Sequence, residues 1–118
     1  EEEKRRPMDK APFGIVSLET AFPLLYTEFV WRTKRWTLAQ LTEWMSEKPA
    51  RRFGLEKTGK IEPGYRPDLF LADLNAVDVI DKNKFESKGR NTPFDGWETR
   101  CVIKQTFSGG KTAWKEER

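Results

Sequence analysis

The sequence predicts an α/β chain, helical in its first half and strand-rich in its second. Three observations carry this. Apolar residues recur every three or four positions from Leu18 to Phe29, a capped apolar stripe runs from Thr37 to Met45, and short β-prone runs surround a Gly-Gly turn near the end.

Residues 1–16 read as a loop, punctuated by Pro7, Pro12 and Gly14 with no helical or strand period. From Ser17 the positions Leu18, Ala21, Phe22, Leu25 and Phe29 define one helical face. Pro23 falls early in that pattern, so it either kinks the helix or marks a late start. The face fades in the basic stretch Arg32 to Arg35. Thr37-Leu38-Ala39-Gln40 fits a capping box, in which the Thr hydroxyl and the Gln side chain each satisfy an orphan backbone donor. Leu38, Leu41, Trp44 and Met45 follow as an apolar stripe. Lys48-Pro49 should end it, because the residue before a proline is pushed away from helical geometry. Pro49 can then open a short turn through Phe53, closed by Gly54.

The pattern changes after Gly54. Gly59 and Pro63-Gly64 are turn signals, and Asp68 to Asp73 and Val77 to Ile80 read as two strands. Residues 81–97 are polar and irregular, with Phe85, Phe94 and Trp97 as expected anchors. Thr99 to Phe107 and Lys111 to Trp114 flank Ser108-Gly109-Gly110, a hairpin whose glycines can take the positive φ of a tight turn. Within residues 1–54 two amphipathic helices have no sheet to lie on, and the strands of the second half lack partners to cover both faces. Each half therefore suits a larger partner structure.

Composition narrows the functions. The 118 residues carry 22 Lys and Arg against 19 Asp and Glu, a net charge of +3, with the basic pairs scattered. A nucleic-acid surface needs them clustered on one face, so none is expected. No apolar run is long enough for a membrane helix. A single cysteine precludes an internal disulfide and fits a reducing, cytoplasmic setting. With no histidine and one cysteine, the chain lacks the side chains of the usual zinc or iron sites. The opening Glu1-Glu2-Glu3-Lys4, without an initiator Met, reads as the continuation of a longer protein.

Two stretches carry a resemblance. Met8 to Val16, with Ala11-Pro12-Phe13-Gly14 at its centre, runs on into Leu18-Glu19-Thr20-Ala21-Phe22-Pro23-Leu24-Leu25. Ser87-Lys88-Gly89-Arg90-Asn91-Thr92-Pro93-Phe94-Asp95-Gly96 is the second. Together they resemble the C-terminal portion of bacterial dihydroorotases, of the metal-dependent amidohydrolase superfamily. Lys48-Pro49-Ala50 to Leu55 and Gly59 to Gly64 follow the same family in order and spacing. The sequence departs from that pattern at Pro67, where related chains carry a small residue, and near Cys101, where they carry a glycine.

The resemblance implies an architecture and a reaction. Residues 1–54 would be the last active-site loop and closing helices of a (β/α)8 TIM barrel, and residues 55–118 the C-terminal strands of its small β-sandwich domain. The implied reaction is the reversible hydrolysis of the cyclic amide of L-dihydroorotate to N-carbamoyl-L-aspartate, by a zinc-activated water with an upstream Asp as proton shuttle. The family's metal ligands all lie upstream of the matching segment. None maps onto this chain, so no catalytic or metal-binding residue is assigned, zinc belongs to the longer parent, and the chain alone is expected to be inactive. Substrate binding does carry over, to the backbone of Phe13 and Gly14 with Pro12 shaping the approach. The alternative for these residues is a plain turn with Phe13 as an apolar anchor.

Partners implied are the small-molecule substrate, the remainder of the barrel, and a second copy or aspartate transcarbamoylase. Two other functions compete: an allantoinase- or hydantoinase-type cyclic amidohydrolase, and a non-catalytic scaffold binding aspartate transcarbamoylase. The remaining candidates read as structural. Asn91 to Phe94 would fix the β domain against the barrel, Glu19 would be a helix-start charge, Asp73 a strand-end residue, and Cys101 an inert buried thiol.

Overall fold

The computed structural model describes residues 2–11 and 13–116. The first sixteen residues are not wholly irregular, since Glu2–Arg5 forms one 3-10 turn. The first helix starts late. Thr20 turns its N–H and its hydroxyl back to the Ser17 carbonyl, at 3.1 and 3.3 Å, and α1 begins at Ala21–Leu25. Pro23 therefore sits in the first turn, where a missing N–H leaves nothing unpaired. Leu18 lies before the helix and is 89% exposed, so it does not join the apolar face as its spacing suggested.

The helix continues as a wider π-helical segment, Tyr26–Arg32. Its end is closed by Thr33, whose N–H and hydroxyl both reach the Glu28 carbonyl five residues back, at 3.0 and 2.7 Å. Phe29 then stacks on Trp36 with ring centroids 4.0 Å apart, and Trp36 meets Trp44 edge-on at 4.9 Å. These rings join the first helical run to the second.

The capping box forms as expected. Thr37 Oγ1 accepts the Gln40 N–H at 3.1 Å, and Gln40 Oε1 accepts the Thr37 N–H at 2.8 Å. Helix α2, Leu38–Thr42, follows and buries Leu41 completely; Leu38, Trp44 and Met45 stay more than a third exposed. Pro49 does not end the run. A π-helical turn, Glu43–Glu47, leads directly into α3, Lys48–Arg52. There the Lys48 N–H bonds to Glu43, five residues back. The widened turn leaves room for the proline ring that a regular ladder would exclude. The stop comes at Gly54, with φ +65°. The Leu55 N–H reaches the Ala50 carbonyl at 2.9 Å and the Gly54 N–H reaches Arg51 at 3.3 Å, a Schellman closure.

The two strands expected at 68–73 and 77–80 are one, β1, Leu69–Val79. A bulge joins them. Asp73 pairs with Val102 and Val77 with Arg100, so three residues of β1 face Cys101 alone. Asp73 Oδ1 holds the bulge by accepting the Asn75 and Ala76 N–H groups at 2.9 and 3.1 Å. Opposite, Cys101 takes a φ of +87°. The Thr27 hydroxyl, on the first helix, accepts the Arg100 N–H at 2.9 Å and lies 2.9 Å from the Arg100 carbonyl, which ties that helix to the residue beside Cys101.

The hairpin is as expected. β2, Glu98–Ser108, turns through Gly109 and Gly110, both at positive φ, into β3, Lys111–Lys115. The sheet is antiparallel in the order β1-β2-β3. Asp68 Oδ1 accepts the Gly109 N–H at 2.6 Å and ties the turn to the entry of β1.

The core spans both halves of the sequence. Tyr26 and Leu41 meet Cys101, with Phe22, Leu25, Trp36, Leu74 and Ile103 packed around them. The first helix thus lies on the sheet that the second half provides. Of the anchors expected in 81–97, Phe85 is buried and Phe94 half-buried against Trp97; Trp97 itself is 54% exposed. Among the described residues no helix is long and apolar enough to cross a membrane.

Candidate functional site

The loop singled out by sequence is shaped at both ends. Pro7 offers its carbonyl to the N–H groups of Lys10 and Ala11, at 2.8 and 3.0 Å, which closes a turn before Ala11. Pro12, an expected contributor, lies outside the described residues. Phe13 and Gly14 follow on the surface, with the Phe13 ring 99% exposed. Gly14 has φ +92°, a backbone that L side chains rarely adopt. A Cβ there would meet nothing within 4 Å, so the glycine is demanded by conformation rather than by space.

The second recognised stretch comes to the same place. The Val16 N–H donates to the Asn91 carbonyl at 2.7 Å, and Asn91 Nδ2 donates to the Gly14 carbonyl at 3.0 Å. Gly89 passes so close that an added Cβ would fall 2.7 Å from Val16 Cγ2. Residues 77 apart in sequence therefore fix the backbone next to Phe13.

Glu19 secures the far side of that loop. Its carboxylate accepts the N–H groups of Glu86 and Ser87 at 2.9 and 3.0 Å. Partial burial pushes its pKa up. The hydrogen bonds from the Ser87 side chain and from the two amides, with the Arg90 charge, outweigh that and leave it below its ordinary 4.5. Arg90 in turn donates to the carbonyls of Ser87 and Gly89. Glu19 is thus more than a helix-start charge; it is a clamp on residues 86–87. Neither this clamp nor the Asn91 bond was anticipated, because contacts 67 and 77 residues apart leave no local signal.

The other polar candidates are structural. Cys101 is buried and its thiol is pushed up to about 11, first by burial and then by the nearby Asp73 charge. Burial of this kind disfavours the thiolate, the form that reacts. The Asp73 carboxyl is held below its ordinary value by the Asn75 and Ala76 amides, which matches its work in the bulge. Among the described residues no group of three or more His, Cys, Asp or Glu is placed to hold a metal ion. A groove lies between the first helix and the sheet, lined by Phe22, Pro23, Phe70, Ile80 and Phe85; neither Phe13 nor Gly14 borders it.

The sequence model of the amidohydrolase family matches residues 7–113. The chain belongs to the amidohydrolase family. Within it, the chain is 52% identical to a dihydroorotase of Bacillus licheniformis over 118 residues, all of this chain and 27% of that protein. It is 50% identical to a dihydroorotase of Shouchella clausii over 117 residues, 99% of this chain and again 27% of the relative. The chain thus spans about a quarter of the length of the curated relatives it matches.

Solved amidohydrolases share the fold. An L-hydantoinase (dihydropyrimidinase) from Arthrobacter aurescens superposes with a TM-score of 0.84 at 32% identity, over 92% of this chain and 24% of that one. A D-hydantoinase gives 0.86 at 23% identity, over 98% and 25%, which speaks for the fold alone. In both, the matched part is a minor share of a larger enzyme.

Proposed function

We propose that these residues are the C-terminal part of a dihydroorotase, an enzyme that opens the cyclic amide of L-dihydroorotate to N-carbamoyl-L-aspartate. The observation that carries this is identity of about 50% to dihydroorotases along the whole chain, against 32% to a hydantoinase of the same fold. In this reading residues 1–54 close a (β/α)8 barrel and residues 55–118 belong to the small β domain beside it. The main partner is the remainder of the barrel.

The chain's own contribution is to the substrate side of the site. The Phe13–Gly14 backbone faces the cyclic amide. Gly14, without a Cβ and held at φ +92°, lets that backbone approach a flat ring closely. The exposed Phe13 ring supplies apolar cover over it. Substrate binding here depends on position, so the clamps behind the loop matter as much as the loop.

The zinc of such an enzyme finds no fitting residues here. The chain has no histidine, its one thiol is buried in the core, and no group of three or more His, Cys, Asp or Glu converges among the described residues. The metal ligands and the proton-shuttling Asp are therefore supplied by polypeptide outside these 118 residues, and no step of the chemistry falls to a side chain described here.

A chimera tests the reading. The preceding part of the Bacillus licheniformis dihydroorotase is joined to these 118 residues, and steady-state hydrolysis is measured on L-dihydroorotate and on a hydantoin. Preference for dihydroorotate is expected. A chimera that prefers the hydantoin would transfer the segment to the other branch of the family.

A further inference from the structure

We propose that Asn91 is the positioning residue that sets the Phe13–Gly14 loop. Two bonds run from this one residue to one short strip of chain. Its side-chain amide donates to the Gly14 carbonyl at 3.0 Å, and its main-chain carbonyl accepts the Val16 N–H at 2.7 Å. The two peptide groups on either side of Ile15 are thereby fixed, and the Phe13–Gly14 peptide is the next in line. Gly14 sits at φ +92°, and an added Cβ would meet nothing within 4 Å. Glycine samples both signs of φ readily, and the asparagine bond helps to hold the one seen here.

The support behind Asn91 is itself fastened. Gly89 is pressed against Val16, Arg90 bonds back to the Ser87 and Gly89 carbonyls, and Glu19 grips the amides of residues 86 and 87. The 86–91 segment is thus anchored to the chain just before α1 and just after Gly14. A side chain of asparagine's length, with both a donor and a nearby main-chain acceptor, is what the gap requires. Aspartate has the same shape and no donor, so it would place a carboxylate against a carbonyl.

This deepens the function proposed above and rests on Phe13 and Gly14 facing the substrate. Asn91 does not touch the reacting atoms; it acts through Gly14. Losing it should therefore weaken substrate binding more than turnover.

The test uses the chimera described above, with Asn91→Asp and Asn91→Ala variants, and two readouts. For L-dihydroorotate hydrolysis the expected result is a KM raised about five- to ten-fold with kcat within about two-fold, the size of one lost hydrogen bond. In amide hydrogen exchange of the same chimeras, read by mass spectrometry, residues 13–16, where the Val16 N–H is bonded to the Asn91 carbonyl, should exchange faster, while the paired amides of β1 and β2 should not. Unchanged KM with unchanged exchange over residues 13–16 would overturn the proposal. So would equal acceleration in β1 and β2, which marks general loosening. If the unsubstituted chimera fails to hydrolyse dihydroorotate, the functional reading falls, and the exchange of residues 13–16 relative to β1 and β2 still decides whether Asn91 holds the loop.

Discussion

Cys101 occupies a backbone conformation, φ +87°, that costs an L residue about 1–2 kcal/mol, yet its side chain is fully buried in the core. The strain is imposed from outside, by the β1 bulge opposite and by Thr27 holding Arg100. Substitution should therefore invert the usual order. Cys101→Ala keeps the strain and empties the thiol's space, whereas Cys101→Gly relieves the strain. The glycine variant is expected to unfold at a higher temperature than the alanine variant, by several degrees for a difference of about 1 kcal/mol. An alanine variant as stable as the glycine one would show that the backbone there is unstrained. Sequence alone marked Cys101 as a buried thiol, and it is buried; it also marked its departure from the glycine of related chains. The positive φ stayed hidden because the bulge that requires it is built by Asp73, on another strand.

Glu19 gives a second residue-scale prediction. Its pKa is lowered in the folded chain, so the carboxylate's contribution is fully present above the ordinary value of 4.5 and is lost as pH falls through the depressed folded value. The protection of the Glu86 and Ser87 amides, taken relative to their intrinsic exchange rates, should fall as the pH drops below about 4.5. Glu19→Gln should show low protection at all pH values and no such step. A wild-type protection that stays constant through this window would remove Glu19 from the clamp.

At the scale of elements, local chemistry decided the helices. Thr37 and Gln40 satisfy each other's backbone donors, so the start of α2 was readable three residues at a time. Thr37→Ala is expected to cost about 1 kcal/mol in unfolding free energy, read by denaturant titration. A cost near zero would mean that tertiary packing alone holds that end. Pro49 was readable as a perturbation but not as to kind. A proline can end a helix or widen it, and only the packing of Ala50 and Leu41 in the interior favours continuing. Gly59 depends on that continuation. It lies against α3 and the turn before it, where a Cβ would sit 2.8 Å from Ala50 Cβ and 2.9 Å from the Ser46 carbonyl. Its φ of +87° adds strain to any side chain there. Gly59→Ala should destabilise the chain by more than Thr37→Ala, and the same titration compares them.

Across the whole molecule, the two halves share one core and still leave much apolar surface uncovered. Phe13, Leu18, Phe53 and Ile61 are each more than three-quarters exposed. In the function proposed above, other polypeptide covers these residues. The sequence left helix and strand faces unmatched within each half, and the structure answers part of that by laying the first helix on the sheet; motif order gave the family. What it did not contain was the meeting of those motifs. Asn91 and Gly14 were recognised separately, and their contact depends on how the 81–97 loop folds back over the start of the first helix. Neither distance nor direction across 77 residues is written in local pattern.

The central claim is that these residues frame a metal-dependent site whose ligands another stretch of polypeptide supplies. It is tested most directly by assaying L-dihydroorotate hydrolysis and zinc content for the purified 118 residues, alone and refolded with the separately expressed preceding part of the Bacillus licheniformis enzyme. The account predicts neither activity nor bound zinc for the 118 residues alone, and both for the mixture. Zinc binding with turnover by the 118 residues alone would contradict it.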